Sequence, residues 1–504
     1  MFKFLKSLLK SIKDKIISSQ AFKKFEKKYP RFFIFLQKRL DRDTIFGLHL
    51  TIGILVALFF LYIFLGIVQD LIGNDPLIQS DLKIINLVQI LRTSNFNQIM
   101  LFITNLGNWH IIFLGIILSS IVLILLKKWQ HLLTLLISTA VGELLIWVMK
   151  NLFKRPRPEL LNVLTPENSF SFPSSHSFVA ISFYGLITYF IFRTVKSKRL
   201  RILTAVSGTV LISMIGFSRI YLGAHFPSDV LAGYAAGLAW VIALITALDI
   251  RLKTKSSKEK PYIRKINIVA IAFLGFFIWA GYSFYYYQSN PFIEPKTSEE
   301  NITTISKNEI PNKLFINYPR RSEDVSGGVL EPINIIIIGN RDTLDKTFTD
   351  AGWSLTDQIS LTSLSKMVKA IMVGSVYPQA PGTPSFWNKI PNDFAYEKQV
   401  NYSVKKREHI HFWKTSFSVK ETNQNIWLAT VHFDKTIVLE KLFIPVHEID
   451  PDIDKEREKV KNELEETKDI DFIGKFRLVN PTSGYNQVGS HFFTDGMTYY
   501  IFLK

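Results

Sequence analysis

At 504 residues the chain has room for a large membrane domain with an appendage; nearly half of its residues are hydrophobic, and the aromatic share is led by 41 phenylalanines. A formal charge of +18 would suit nucleic acid, but the lysines and arginines flank apolar runs, where they meet anionic headgroups, so no nucleic-acid partner is assigned. The absence of cysteine excludes disulfides, thiolate metal sites and a cysteine nucleophile.

Residues 1–44 are basic and amphipathic, with Phe2, Leu5, Leu8, Leu9, Ile12, Ile16 and Ile17 at helical spacing between lysines. This pattern predicts an interfacial helix on the cytoplasmic leaflet, since no cleavage site follows it. Seven segments, near 46–68, 98–126, 130–150, 175–193, 200–218, 229–249 and 265–287, are apolar enough to cross a bilayer of ~30 Å. The intervening stretch 81–97 is too polar to span and is expected to lie along the surface. Basic residues crowd the N-terminus, Lys127–Lys128, Arg193–Arg201 and Arg251–Lys265. With seven alternating spans these share one side, the cytoplasm, and everything after residue 288 faces outward. One outer loop breaks the rule by carrying Lys150, Lys154, Arg155 and Arg157.

A polar linker is expected at 289–330, followed by an α+β soluble domain at 331–504. Ile333–Ile338 reads as a strand, with a helix from Gly339-Asn340 to Gly352 and another at 361–373. Residues 378–391 are proline-rich and read as an irregular loop. Antiparallel strands at 400–420 and 425–445, a charged helix at 452–468 and two last strands complete the domain. His409, His411 and Trp413 share a strand face by period two, and with His447 they could form a ligand or metal site. The reading gives them a structural role and assigns no metal.

The chemistry-bearing residues fall into three clusters that the topology brings to the outer face. They are Lys150 with Arg157-Pro158, then Pro173-Ser174-Ser175-His176, then Ser218-Arg219 with His225 and Asp229. Ionisable groups at such depth are costly and usually functional. Two arginines and a lysine suit a tetrahedral dianion, and Ser174 with the amides opening the fourth span adds donors at a helix N-terminus. His225 and Asp229, four apart, share a helix face, so the carboxylate can hold one ring nitrogen protonated and leave the other free to attack. His176 remains as general acid.

The pattern K-x6-RP, PSxH and SR-x5-H-x3-D resembles the signature of the type 2 phosphatidic acid phosphatase superfamily, over about residues 45–250. The resemblance implies an α-helical membrane bundle, a six-helix phosphatase core with one extra transmembrane helix at 251–288. It also implies a metal-independent phosphatase with no cofactor, and the topology read from the basic loops puts its lipid phosphate substrate in the outer leaflet of the cytoplasmic membrane. Lys150, Arg157, Ser174, Ser175 and Arg219 would hold the phosphoryl group, His176 would protonate the leaving group, and His225, oriented by Asp229, would become a phosphohistidine. Where this chain has Ser175 the family often has glycine, which matters if that position needs a positive φ. Glu143, seven residues before Lys150, lines a lipid-chain cavity or pairs inside the bundle.

Residues 331–504 resemble the C-terminal domain of LssY-like proteins. The matching residues are Ile333–Gly339, Ala351-Gly352-Trp353, Arg407–Trp413 and His447–Asp454. That resemblance names no reaction. Two rival readings stay open: transfer of the phosphoryl group to a lipid acceptor, and a membrane-anchored scaffold working through its C-terminal domain.

Overall fold

In the computed structural model the described residues are 24, 27–41, 46–158, 164–165, 167–254, 262, 264–290, 302–373, 377, 379–399, 407–439, 445–485 and 489–504. Most of the segment 1–44 therefore lies outside the described residues. Its described part includes a helix, α1 (Pro30–Leu40).

The first span, α2 (Leu48–Gly73), stops where Asn74 takes a left-handed conformation. Pro76 then opens α3 (Pro76–Gln89), fitting proline's preference for the first helical turn. The expected single span over 98–126 is two helices, α4 (Ser94–Asn105) and α5 (Trp109–Leu125), meeting at 49°. The break has a local cause. Asn108 caps α5 by accepting from the His110 amide at 3.1 Å, so the chain restarts a helix instead of continuing one.

The remaining spans are α6 (Trp129–Phe153), α7 (Ser175–Thr194), α8 (Lys198–Tyr221), α9 (Pro227–Thr254) and α10 (Lys265–Ser289). Counting the bent pair as one gives seven spans, as the hydropathy predicts. Within α7 one turn, Ile181–Gly185, is wound as a π-helix just beyond the His176 turn. The α9 helix carries the bundle's main packing face, with Ala232, Ala235 and Val241 buried. Trp279 of α10 donates to the Ile111 carbonyl at 3.2 Å, fastening the last span to α5. On the far side of the bundle, His49 pairs with Asp249 at 3.0 Å. Glu143, on α6, is exposed.

The stretch 81–97 does not lie along the surface. Asp81 and Lys83 of α3 are buried because the helix is wedged between the bundle and the C-terminal domain. Asp81 reaches into the bundle, while the Lys83 ammonium donates to the Asp324 carbonyl at 2.9 Å and pairs with Glu323 at 2.5 Å. The linker expected at 289–330 is corrected too: the chain is folded from Thr303. There β1 (Thr303–Ile305) pairs with a central strand, and α11 (Ile310–Lys313) leads to Leu314 and Phe315 in the core. These apolar side chains, not composition, draw the segment into the domain.

β2 (Arg321–Glu323), β3 (Val329–Pro332), β4 (Ile335–Ile338), α12 (Arg341–Asp350), β5 (Ser354–Leu355) and α13 (Leu361–Val373) follow. Among its described residues the proline-rich loop contains the two-residue strands β6 (Phe386–Trp387) and β7 (Ile390–Pro391). Then come β8 (Phe394–Gln399), β9 (Arg407–Val419), β10 (Asn425–Leu439), β11 (Pro445–Ile449) and α14 (Ile453–Glu466). Four strands, not two, end the chain: β12 (Ile470–Arg477), β13 (Thr482–Tyr485), β14 (His491–Thr494) and β15 (Met497–Leu503). The main sheet runs β12-β15-β4-β10-β9-β8-β5, with β1 on β9 and β11 on β10. All four isoleucines of β4 are buried because both faces of the sheet are covered, which is why this strand reads as a continuous apolar run.

Candidate active site

The helix ends gather the three motif clusters at one face of the bundle. Lys150 closes α6, His176 opens α7, Arg219 closes α8 and Asp229 opens α9. Two local devices hold the turn before α7. The Ser174 amide donates to the Asp229 carbonyl at 3.0 Å, and Gly233 lets α9 come close, since a Cβ there would meet the Ser174 oxygen at 2.6 Å. Ser175 is the first residue of the helix and has no positive φ, so glycine's conformational freedom is not needed here.

His225 sits at the centre, buried on the loop between α8 and α9. Its Nδ1 is 3.5 Å from Asp229 Oδ2, the i, i+4 pairing expected from spacing. Its Nε2 faces the opposite way, 3.2 Å from the Arg157 guanidinium. Burial, reinforced by Arg157, Arg219 and Lys150, pushes the His225 ring well below the usual imidazole range, so it stands neutral. Lys150 is buried and donates to the Phe170 carbonyl at 2.5 Å.

Four participants are not legible from motif spacing. The Glu167 carboxylate bridges the two motif arginines, accepting from Arg157 at 2.6 Å and from Arg219. Burial alone would raise its pKa, but Arg219, His176 and Arg157 hold the carboxyl well below its ordinary range. Its two oxygens mark where an anion is held between those guanidiniums. Arg155 donates to Asp229 at 2.6 Å, to Ser228 at 2.8 Å and to Asp81 at 2.7 Å, and its guanidinium lies 4.0 Å over the Phe226 ring. Asp81 in turn accepts from the Ser228 amide at 2.9 Å. Ser171 donates to Asp229 and lies 3.4 Å from His225 Nδ1. A single acid in an amphipathic stretch gives no sequence signal. Arg155 did give one, as a member of the loop that violates the charge rule.

The break between α4 and α5 also serves this site. A Cβ at Gly107 would stand 2.8 Å from the His176 ring. Gly107→Ala is therefore expected to displace that ring and lower kcat at least ten-fold, since about 1.4 kcal/mol of lost transition-state stabilisation suffices for that. Steady-state kinetics on a soluble short-chain lipid phosphate would measure it, with unchanged kcat the contrary result.

The arrangement agrees with what the chain is similar to. The PAP2 superfamily model matches residues 112–253, and the LssY C-terminus model matches 315–498. Phosphatidylglycerophosphatase B of Bacillus subtilis is 32% identical over 196 residues, covering 38% of this chain and 95% of the relative. An undecaprenyl-diphosphatase of Sulfolobus acidocaldarius is 26% identical over 197 residues, covering 38% and 89%. The crystal structure of a transmembrane PAP2 type phosphatidylglycerolphosphate phosphatase from Bacillus subtilis covers 41% of this chain and 98% of its own, at 28% identity and a TM-score of 0.34. The chain belongs to the PAP2 superfamily, as a multi-pass membrane phosphatase that carries a C-terminal domain of the LssY type.

Proposed function

We propose that this protein hydrolyses a phosphomonoester or pyrophosphate of a lipid at the outer face of the cytoplasmic membrane, through a phosphohistidine on His225. The observation that carries the reading is the orientation of His225: Nδ1 is backed by Asp229, and Nε2 points into the arginine cluster where Glu167 now sits. A lipid phosphate entering there would displace the Glu167 carboxylate and place its oxygens on Arg157, Arg219, Lys150 and the Ser174–Ser175 turn. His225 Nε2 attacks phosphorus as the ester oxygen leaves with a proton from His176. Water, activated by the same His176, then attacks the phosphohistidine and releases phosphate.

The relatives' substrates, phosphatidylglycerophosphate and undecaprenyl diphosphate, are the first to assay. A panel of lipid phosphates, with and without acceptor lipids, tests the reading. Inorganic phosphate release supports it, whereas release only as a phosphorylated acceptor would make the enzyme a phosphotransferase. Because His225 must be neutral to attack and its environment disfavours protonation, the acid limb of kcat/KM is expected below the free imidazole value of about 6.5. A limb with its midpoint above about 7 would contradict the assignment.

The orientation has its own test, made easy by the absence of cysteine. The C-terminal domain docks on the site face of the bundle through α3, opposite the basic loops. Met372→Cys, at a residue 76% exposed, is expected to react with an impermeant maleimide in intact spheroplasts. Arg199→Cys, in the exposed first turn of α8, should react only after permeabilisation. The reverse pattern would invert the topology.

A further inference from the structure

The C-terminal domain holds a second cluster of chemistry-bearing side chains, remote from His225. On β9, Arg407, His409, His411 and Trp413 alternate onto one sheet face, as the period of two requires. The register with β10 sets His432 directly opposite His409 and Asp434 opposite Arg407. On the other flank Glu397 of β8 is opposite His409. The partner expected from sequence was His447, but β11 pairs it with Ile437, farther along β10, and its side chain lies outside those described. The third histidine is His432.

We infer that His409, His411 and His432 form a binding site for a divalent transition-metal ion, with Asp434 as the adjacent carboxylate. One nitrogen from each ring lies within 4.8 Å of the other two. A tetrahedral zinc site with Zn–N of about 2.1 Å has ligand separations of about 3.4 Å, so closure by at most about 1.4 Å from the 4.8 Å limit completes the set. Asp434 Oδ1 is 3.5 Å from His432 Nε2, and Oδ2 is 3.9 Å from His409 Nδ1, separations already close to those of co-ligands. Glu331 stands 3.7 Å from His432 Nδ1, where a carboxylate can orient a ligating imidazole.

Burial makes the cluster hard to explain as surface chemistry. His409, His411 and Asp434 are almost fully buried, and the opposite face of the same strands is packed with Ile410, Phe412 and Val431. Arg407, bonded to Glu397 at 2.6 Å and near Asp434 at 3.4 Å, balances the two carboxylates and leaves the imidazoles as the main donors. A donor set dominated by nitrogen favours zinc or a neighbouring transition metal over calcium or magnesium. The loop carrying Gly382 closes over His409, and a side chain there would come within 2.5 Å of its ring. His411 lines a cavity of about 450 Å³ between this domain and α3, which gives an ion a way in.

The test uses full-length protein, purified in detergent with a tag that contains no histidine. After stripping with a chelator and dialysis against Zn2+, elemental analysis is expected to find about one zinc per chain. Co2+ in its place should give the visible d–d bands of a four-coordinate site. His432→Ala, and separately His411→Ala, should lose the metal, while the exposed His491→Ala should keep it. Because a ligand variant could unfold the domain, wild-type protein alone supplies a second measurement: its thermal unfolding should rise on adding Zn2+. Wild-type protein that retains no zinc above His432→Ala, and shows no shift on adding it, would overturn the site. So would stoichiometric zinc in both ligand variants.

Discussion

His225→Ala is expected to abolish turnover, and His176→Ala to slow it by about 10²–10⁴-fold, the usual span for loss of a general acid. The two losses differ in kind. Without the nucleophile the covalent route is closed, because Lys150 and the arginines can bind phosphate but cannot attack it. Without the acid, His225 still reacts, and the departing oxygen must leave without a proton. Rapid quenching with radiolabelled substrate separates the cases: an acid-labile, base-stable phosphoenzyme should be trapped in wild type and be absent in His225→Ala. Leaving groups of low pKa should partly rescue His176→Ala and do nothing for His225→Ala. Full activity in His225→Ala would remove the mechanism.

Arg155→Met is expected to be the most damaging change outside the reacting groups. Arg155 is the common partner of Asp81 and Asp229, both almost completely buried. Removing one member of a buried ion pair leaves an uncompensated charge, at a cost of about 3–5 kcal/mol. That is a large share of a typical domain stability of about 5–15 kcal/mol. The thermal midpoint in micelles should fall clearly, and kcat should fall with it, because Asp229 would no longer be held against His225. Arg155→Lys keeps the charge but loses the fork that reaches two carboxylates, so it should lie between the two. Asp81→Asn with Arg155→Met should be less than additive, since the residues share one network. An unchanged midpoint in Arg155→Met would mean that water satisfies these carboxylates.

The same network joins the membrane bundle to the C-terminal domain. Two residues of α3 face opposite ways: Asp81 holds Arg155 and Ser228, and Lys83 holds Asp324 and Glu323. The Asn86 amide adds a bond to the Lys389 carbonyl at 2.9 Å. The domain is thus docked beside the site through α3, and the forty-residue flexible tether expected from composition is not what holds it there.

Sequence alone determined the spans and the motif residues. Apolar length is a one-dimensional property, because a helix must satisfy its own backbone in lipid, so six of the seven predicted spans coincide with continuous helices. The pairing of His225 with Asp229 was anticipated from their spacing of four, although His225 lies on the loop just before α9 and the turn into that helix, not helical geometry, brings the two together. The period of two likewise placed His409 and His411 on one strand face. Only the tertiary structure decided which residues from separate elements meet. Arg155 and Asp81 are 74 positions apart, as are Arg155 and Asp229, and no local rule joins them. Glu167 reaches the arginines from a polar loop without periodicity, and His432 rather than His447 completes the histidine cluster because strand register, not proximity in sequence, sets cross-strand neighbours. The folding of 303–330 was hidden because composition there is polar on average. Ile305, Leu314 and Phe315 gain their buried neighbours only when β4, β9 and β10 have assembled the sheet they cover.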